Sequence, residues 1–83
     1  MKVSLLGVQD LDFSTREGDT IQGVKLHFCY TDPNVTGRKV DTKFISRSAL
    51  ANLQLETASF TAAIGKEIDL QTDFNGKVYA VGL

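Results

Sequence analysis

The sequence predicts one small β-rich domain of about five strands, with a short helix after the third strand. Apolar residues alternate with polar ones over several short runs, which is the period of a strand with one buried face. Turn-forming Gly, Pro, Asn and Asp residues separate these runs. A chain of 83 residues is too short for two ordinary domains, and 42% hydrophobic residues are enough for a core. Residues 1–83 are therefore expected to form a single domain.

The first two strands are predicted to form a long hairpin. Residues 2–13 carry apolar side chains at both parities, so this strand is expected to be partly buried on both faces, with Gly7 marking a bend or a bulge. A polar turn at residues 16–19 contains Gly18, and residues 20–30 then alternate more cleanly. The alternating apolar positions of this second strand are Val24, Leu26, Phe28 and Tyr30.

The third strand is predicted at residues 39–46, after a turn at residues 31–34 and a loop that ends at Gly37. Its residues alternate in a pattern that assigns Phe44 to a buried face and the lysines to an exposed, basic one. The presumed inward set is Val40, Thr42 and Phe44, and the other set is Lys39, Asp41, Lys43 and Ile45.

A short helix is predicted through residues 49–53, where Leu50 and Leu53 have the spacing of one buried stripe, and Ser46 and Ser48 are alternative N-caps. Residues 56–64 fit either a strand or a helix. Residues 66–72 and 78–83 predict the fourth and fifth strands, joined at Asn75-Gly76, a dipeptide that favours a type I′ hairpin. This order of elements fits a five-stranded OB-type Greek-key barrel. An SH3-like small barrel, or a small open sheet with a packed helix, is the alternative.

Few residues are of the kind that carry catalysis or bind a metal. The chain has one cysteine, Cys29, and one histidine, His27, which are too few for an all-protein zinc site. They share a strand face, but no third group is placed to orient them as a nucleophile and its base. Carboxylates spaced two residues apart in strands one and four are expected on solvated faces. No glycine-rich nucleotide motif is present. We therefore expect no enzyme activity, no metal and no cofactor.

The expected location is the cytoplasm. The apolar run from Val3 to Val8 is shorter than the core of a secretion signal. No stretch of the sequence approaches the roughly 20 apolar residues of a membrane helix. We therefore expect no membrane partner.

Basic residues are the best indication of a ligand, although the net charge is −1. Between residues 36 and 47, four Lys or Arg residues face only Asp41. Phosphates are held by such side chains, and single strands also bind aromatic faces on which bases stack. Lys25 and His27 would share a face with Lys39 and Lys43 if strands two and three pair in that register. Oligonucleotides commonly lie on this part of OB-folds. The predicted binding residues are Arg16, Lys25, His27, Tyr30, Arg38, Lys39, Lys43 and Tyr79, the two tyrosines being the stacking candidates.

The run KVSLLGVQDLDFSTREGDTIQGVKLHFCY resembles the opening hairpin of the small single-stranded DNA-binding proteins of phages and mobile elements, including the filamentous-phage type. Phe-Ser-Thr precedes a charged, Gly-containing turn, and the second strand ends in Cys-Tyr. The closing run GKEIDLQTDFNGKVYAVGL is similar to their last hairpin. This resemblance implies sequence-tolerant, cooperative coating of single-stranded DNA during replication, by a homodimer that joins two barrels.

Two other interpretations stay open. The basic residues could serve only to keep an exposed face soluble. The chain could also be a protein-interaction or assembly module that docks through a sheet edge and binds no nucleic acid. RNA remains an alternative ligand to DNA.

Overall fold

The computed structural model describes residues 1–83. Most of the chain forms one five-stranded antiparallel sheet, and two short helices connect the third strand to the fourth. The strand order is β3-β2-β1-β4-β5. The predicted β-rich fold, with five strands and a helix after the third, is confirmed. The elements are β1 (Lys2–Ser14), β2 (Thr20–Tyr30), β3 (Lys39–Ser46), α1 (Arg47–Leu53), α2 (Thr57–Thr61), β4 (Glu67–Thr72) and β5 (Val78–Gly82).

Strand β1 is central because it pairs with a different neighbour at each end. Residues 2–4 pair with β4, and the rest of the strand pairs with β2. The register of the β1–β2 pair shifts between Leu5 and Gly7, so Leu6 is the extra residue of a β-bulge. This bulge lets Leu5 and Val8 both face the core although an odd number of positions separates them. The irregularity predicted near Gly7 is thus confirmed.

One cluster of 12 buried residues forms the core. Strand β2 contributes Val24, Leu26 and Phe28 to it, as its alternation predicted, and β3 contributes Ile45. The sheet curls around this core, so its edges approach one another: Lys43 Nζ on β3 donates to the carbonyl oxygen of Gly76, in the β4–β5 turn, at 3.3 Å. No strand pairing joins β3 to β5. The sheet therefore forms an open, curled structure with two free edges.

Both helices are short and have defined starts. Ser46 is the N-cap of α1, because its Oγ accepts from the Ala49 N–H at 3.3 Å. In α2, Glu56 and Ser59 form a reciprocal capping box. The ambiguous residues 56–64 are therefore mainly helical, and this spacing places Phe60 and Ala63 in the core. No helix of the chain is long and apolar enough to span a membrane.

The β4–β5 turn differs from its prediction. A type I′ turn needs positive φ at both Asn75 and Gly76, but only Gly76 has it, with φ of 79°. Instead the Gly76 N–H donates to the Asp73 carbonyl, and the Asp73 carboxylate accepts from the N–H groups of Asn75 and Lys77. The Asp73 side chain thus stabilises a longer turn with glycine at its end. The β1–β2 turn at residues 15–19 has the same backbone hydrogen bonds, with Gly18 at φ 86°.

Candidate nucleic-acid interface

The face of β1, β2 and β3 that points away from the core is here called the outer face. The residues of the outer face can be identified from β2, in which buried residues alternate with Lys25, His27 and Cys29. Residues that lie directly opposite one another in antiparallel strands point to the same face. The β2–β1 and β2–β3 registers therefore assign further residues to the outer face, namely Gln9, Leu11 and Phe13 from β1, Ile21 and Gly23 from β2, and Val40, Thr42 and Phe44 from β3.

Lys25 and His27 lie on the outer face as predicted, whereas Lys39 and Lys43 do not. Lys43 pairs with Leu26 and Lys39 pairs with Tyr30, so both lysines are on the core side of the sheet. The predicted common face of these four residues is wrong. Single-residue changes of parity move every side chain of a strand to the opposite face. The two alternating sets of β3 residues were therefore assigned to the wrong faces of the sheet.

The physical reason lies in Gly23 of the neighbouring strand. The Phe44 ring lies over Gly23: a Cβ at this glycine would come within 2.9 Å of the ring atoms Cε2 and Cζ. Because Gly23 has no side chain, it leaves room for the ring on the outer face. Phe44 is accordingly 44% exposed, while Ile45 is 2% exposed and fills the core in its place. The predicted burial of Phe44 is wrong for this reason.

Phe44 continues into a line of apolar side chains, here called the outer strip, which consists of Leu11, Phe13, Ile21 and Phe44. Leu11 pairs with Gly23, the residue that the Phe44 ring covers. Phe13 pairs with Ile21, two residues further along each strand. Phe13 and Phe44 are both about half exposed. Phe13 and Phe44 were not among the predicted site residues, although a glycine at an outward parity of β2 is the signal that would have placed Phe44.

The outer strip extends onto a projecting arm. Beyond the last β2–β3 pair, Gly23 with Ser46, strands β1 and β2 pair only with each other. The molecule is correspondingly elongated, with principal extents of 42 × 26 × 23 Å. Arg16 lies in the exposed turn at the end of this arm, and its side chain forms no salt bridge and no hydrogen bond. It is free to meet a ligand that extends past the strip.

From Gly7 onward, the carboxylates of β1, β2 and β3 all lie on the core side of the sheet. Lys25 and His27 lie on the outer face, and His27 Nε2 is 3.5 Å from Gln9 Oε1. Asp10, Asp12 and Asp41 all have the opposite parity, because they pair with Val24, Gln22 and Phe28 respectively. From Gly7 onward, the outer face of these three strands therefore carries Lys25, His27 and aromatic groups and no carboxylate. Lys39 and Lys43 share the core side with these carboxylates, so the absence of carboxylates is what distinguishes the outer face.

The remaining predicted residues are dispersed. Arg38 lies across the far end of the hairpin, where Nη2 donates to Ser4 Oγ at 3.1 Å and to the Cys29 carbonyl at 3.4 Å. Lys39 Nζ is 3.9 Å from Asp32 Oδ2, an ion pair on the core side of the sheet. Neither residue adjoins the outer strip.

The two predicted stacking tyrosines differ in their surroundings. Tyr30 packs against the core, with its ring centroid 6.1 Å from that of Phe28, so it presents no free face on the outer side. Tyr30 has the parity of the buried residues of β2, as its alternation predicted, and therefore lies on the other face from Lys25 and His27. Tyr79 is 59% exposed and lies beside Phe74, which is fully exposed in the β4–β5 turn. Phe74 was also missed, although a phenylalanine between turn residues is itself a signal.

The comparisons with known proteins found no relative of this chain. It matches no protein-family model, and no curated protein and no solved structure is significantly similar to it.

Proposed function

We propose that this protein binds single-stranded nucleic acid through the outer face of β1, β2 and β3, without reading its sequence and without a chemical step. The observation that carries the proposal is that exposed aromatic rings and a lysine share this face with no carboxylate. Phe44 and Phe13 are exposed there, Lys25 lies opposite Phe44 on the adjacent strand, and no carboxylate shares the face. Stacking faces beside unpaired cations are what single strands require, since every base has a π-face and every linkage has a negative charge.

The same proposal assigns the chain to the OB-type barrels. Support comes from the strand order β3-β2-β1-β4-β5, from the helices between β3 and β4, and from the curled sheet with β3 and β5 at its edges. In OB-folds, the face of strands two and three, together with the β1–β2 and β4–β5 loops, commonly holds oligonucleotides. The outer strip occupies the equivalent region of this chain. The resemblance of its opening hairpin to phage and mobile-element proteins favours DNA as the ligand, in replication.

The test is a fluorescence-anisotropy titration of labelled oligo-dT, the matched duplex and the matched RNA, each at low and moderate salt. We expect tighter binding to the single strand than to the duplex, weakening as salt rises because bound phosphates release counterions. Phe44→Ala should weaken binding by about 1–3 kcal/mol, the contribution of one stacked base, and should leave the salt dependence unchanged. Absence of binding up to about 100 μM protein would overturn the proposal, because that is weak even for non-specific binding.

A second candidate function is a protein-interaction module, and the free sheet edges favour it. β3 and β5 each have a partner strand along one edge only, and Val40 on β3 is largely exposed. Such an edge offers unpaired backbone groups to an added strand from a partner. This function would be preferred if the chain bound no polynucleotide and if substitution of Val40, but not of Lys25, abolished binding to its partner.

A further inference from the structure

A groove leads away from Phe44 between β3, α1 and β5, and here it is called the β3–β5 groove. It begins as a cavity of about 290 Å³ beside Phe44, lined also by Ala49, Lys77 and Val78. The last three residues also line the next cavity, of about 280 Å³, which reaches Tyr79. Tyr79 and Asp73 then line a third, of about 330 Å³, together with Phe74. Neighbouring cavities share wall residues, so the three follow one another from Phe44 to the β4–β5 turn.

The side chains along this groove have the chemistry of a single-strand site. Three exposed aromatic rings line it: Phe44 at one end, Phe74 at the other, and Tyr79 between them. Lys77 lines the first two cavities and forms no salt bridge. Lys43 lies outside this lining, and its Nζ donates to the Gly76 carbonyl oxygen.

Asp73 is the only carboxylate that lines the groove. Its Oδ1 accepts from the Asn75 N–H at 2.9 Å and from the Lys77 N–H at 3.0 Å. These hydrogen bonds direct part of its charge into the turn that carries Phe74. Lys77 has no carboxylate partner and the Asp73 carboxylate is engaged in the turn, so the groove can accept an anionic ligand that carries aromatic groups.

We propose that a single strand bound on the outer face continues past Phe44 into the β3–β5 groove. There Tyr79 and Phe74 each stack a further base, and Lys77 contacts a backbone phosphate. This inference rests on the proposed function, because Phe44 belongs to both the outer face and the groove and thus connects them. It assigns binding roles to Lys77 and Phe74, and it makes the bound segment longer than the outer face alone can hold.

The experiment compares oligo-dT of about 4 and about 12 nucleotides, which span the usual range of site sizes for one OB-fold. Phe74→Ala, Tyr79→Ala and Lys77→Ala are titrated with both lengths. We expect each aromatic variant to bind the longer oligonucleotide about five- to tenfold more weakly than the unaltered chain. Binding of the shorter one, held on the outer face, should change less than twofold.

Lys66→Ala is the matched control for Lys77→Ala, because Lys66 is exposed and lines none of the three cavities. A direct readout uses the two tyrosines and the absence of tryptophan. In Tyr30→Phe, Tyr79 is the sole tyrosine, so stacking of a base on its ring should quench the intrinsic fluorescence. Quenching is expected with the longer oligonucleotide and not with the shorter one.

Three results would overturn the proposal that a single strand binds in the β3–β5 groove. The first is unchanged affinity of all groove variants for the longer oligonucleotide while Phe44→Ala and Lys25→Ala still weaken it; the proposed function would then stand without the groove. The second is an equal loss at both lengths, which contradicts an extension of the outer-face site. The third is no binding of any oligonucleotide by the unaltered chain, which rejects both the groove and the proposed function.

Discussion

Phe44 lies on the outer face because its ring covers Gly23 on the adjacent strand, where any side chain would occupy the space of the ring. The contact joins the stacking surface to the backbone of β2. It also explains why Gly23 is buried although it belongs to an outward-facing row. Exposure of Phe44 and the absence of a Cβ at position 23 are therefore two parts of one arrangement.

Gly23→Ala should disturb this arrangement. The new Cβ would meet ring carbons of Phe44 at 2.9 Å and would overlap the carbonyl oxygen of Ile45, which is backbone and has little freedom to move. We expect a loss of about 1–3 kcal/mol in the free energy of unfolding, as for other overpacked sites, measured by denaturant titration. Gly7→Ala is the control, because its Cβ would meet only the His27 Cβ at 3.8 Å. Equal stability of the two variants would contradict the packing of Phe44 on Gly23.

Lys25 and Lys39 should contribute unequally to nucleic-acid binding. Lys25 is on the outer face opposite Phe44, whereas Lys39 has the core-side parity and lies 3.9 Å from Asp32. We expect Lys25→Ala to reduce the slope of log affinity against log salt by about 0.7, the value for one phosphate contact on a single strand. Lys39→Ala should leave the slope unchanged. A larger effect of Lys39→Ala would restore the prediction made from alternation alone.

Lys43 should act on stability because it joins the two edges of the sheet. Its Nζ donates to the Gly76 carbonyl at 3.3 Å from a half-buried position. Lys43→Met keeps the aliphatic chain and removes the donor, so we expect a loss of about 1 kcal/mol in the free energy of unfolding. Amide exchange in the turn at residues 73–77 should become faster. Lys66→Met is the control. Unchanged exchange together with weaker oligonucleotide binding would instead identify Lys43 as a phosphate contact.

Phe60 and Phe74 provide a matched pair for the core and the surface. Phe60 in α2 is completely buried, and Phe74 in the β4–β5 turn is completely exposed. Phe60→Ala should reduce the free energy of unfolding by about 3–5 kcal/mol, a large fraction of the stability of so small a domain. Phe74→Ala should change it by less than about 0.5 kcal/mol. Thermal unfolding followed by circular dichroism measures both, and a stable Phe60→Ala variant would contradict the placement of α2 against the core.

Asp69 should make stability depend on acid pH. The hydrogen bond from the amino-terminal ammonium, 2.9 Å from Oδ1, is the main reason that the pKa of this carboxyl lies below its ordinary value. Partial desolvation opposes this shift, and the ammonium charge, Gln71 and Lys2 assist it. A carboxyl with a lowered folded-state pKa stabilises the fold fully above its ordinary pKa, and this contribution disappears as the pH falls through the lowered value.

Asp69→Asn should therefore be less stable than the unaltered 83-residue chain near neutral pH, and the difference should vanish in strong acid. Denaturant titrations across the acid range measure it. Asp19→Asn is the control, because the Asp19 carboxylate accepts no hydrogen bond and forms no salt bridge. A difference between Asp69→Asn and the unaltered chain that is constant with pH would show that the ammonium pair does not contribute.

Where local pattern and packing agree, the sequence was sufficient to predict the structure. In β2, three apolar residues at one parity, Val24, Leu26 and Phe28, face the core, because no other assignment buries as much apolar surface. A serine N-cap for α1 was predicted because a serine before an apolar helical stripe supplies the missing acceptor for an N–H group, and the structure selects Ser46 over Ser48. The irregularity near Gly7 is local too, since apolar residues of both parities require a change of register to reach one core.

Where two assignments were nearly equal, contacts from elsewhere in the fold decided. Residues 56–64 carry apolar side chains at both strand and helix spacing, and the choice depends on the core space that Phe60 fills. The type of the β4–β5 turn depends on the hydrogen bonds that the Asp73 carboxylate accepts from the N–H groups of Asn75 and Lys77, which outweigh the preference of Asn75-Gly76.

The sequence by itself therefore determined the strands, their order along the chain and the faces of β2, because these depend on residues that are close in sequence. Only the tertiary structure decided the face of β3 and with it the composition of the candidate site. Phe44 and Ile45 are neighbours of similar hydrophobicity, and either could have been buried. The missing side chain of Gly23, on another strand, leaves room for Phe44 on the outer face, so Lys43 lies on the core side, where its Nζ donates to the Gly76 carbonyl oxygen.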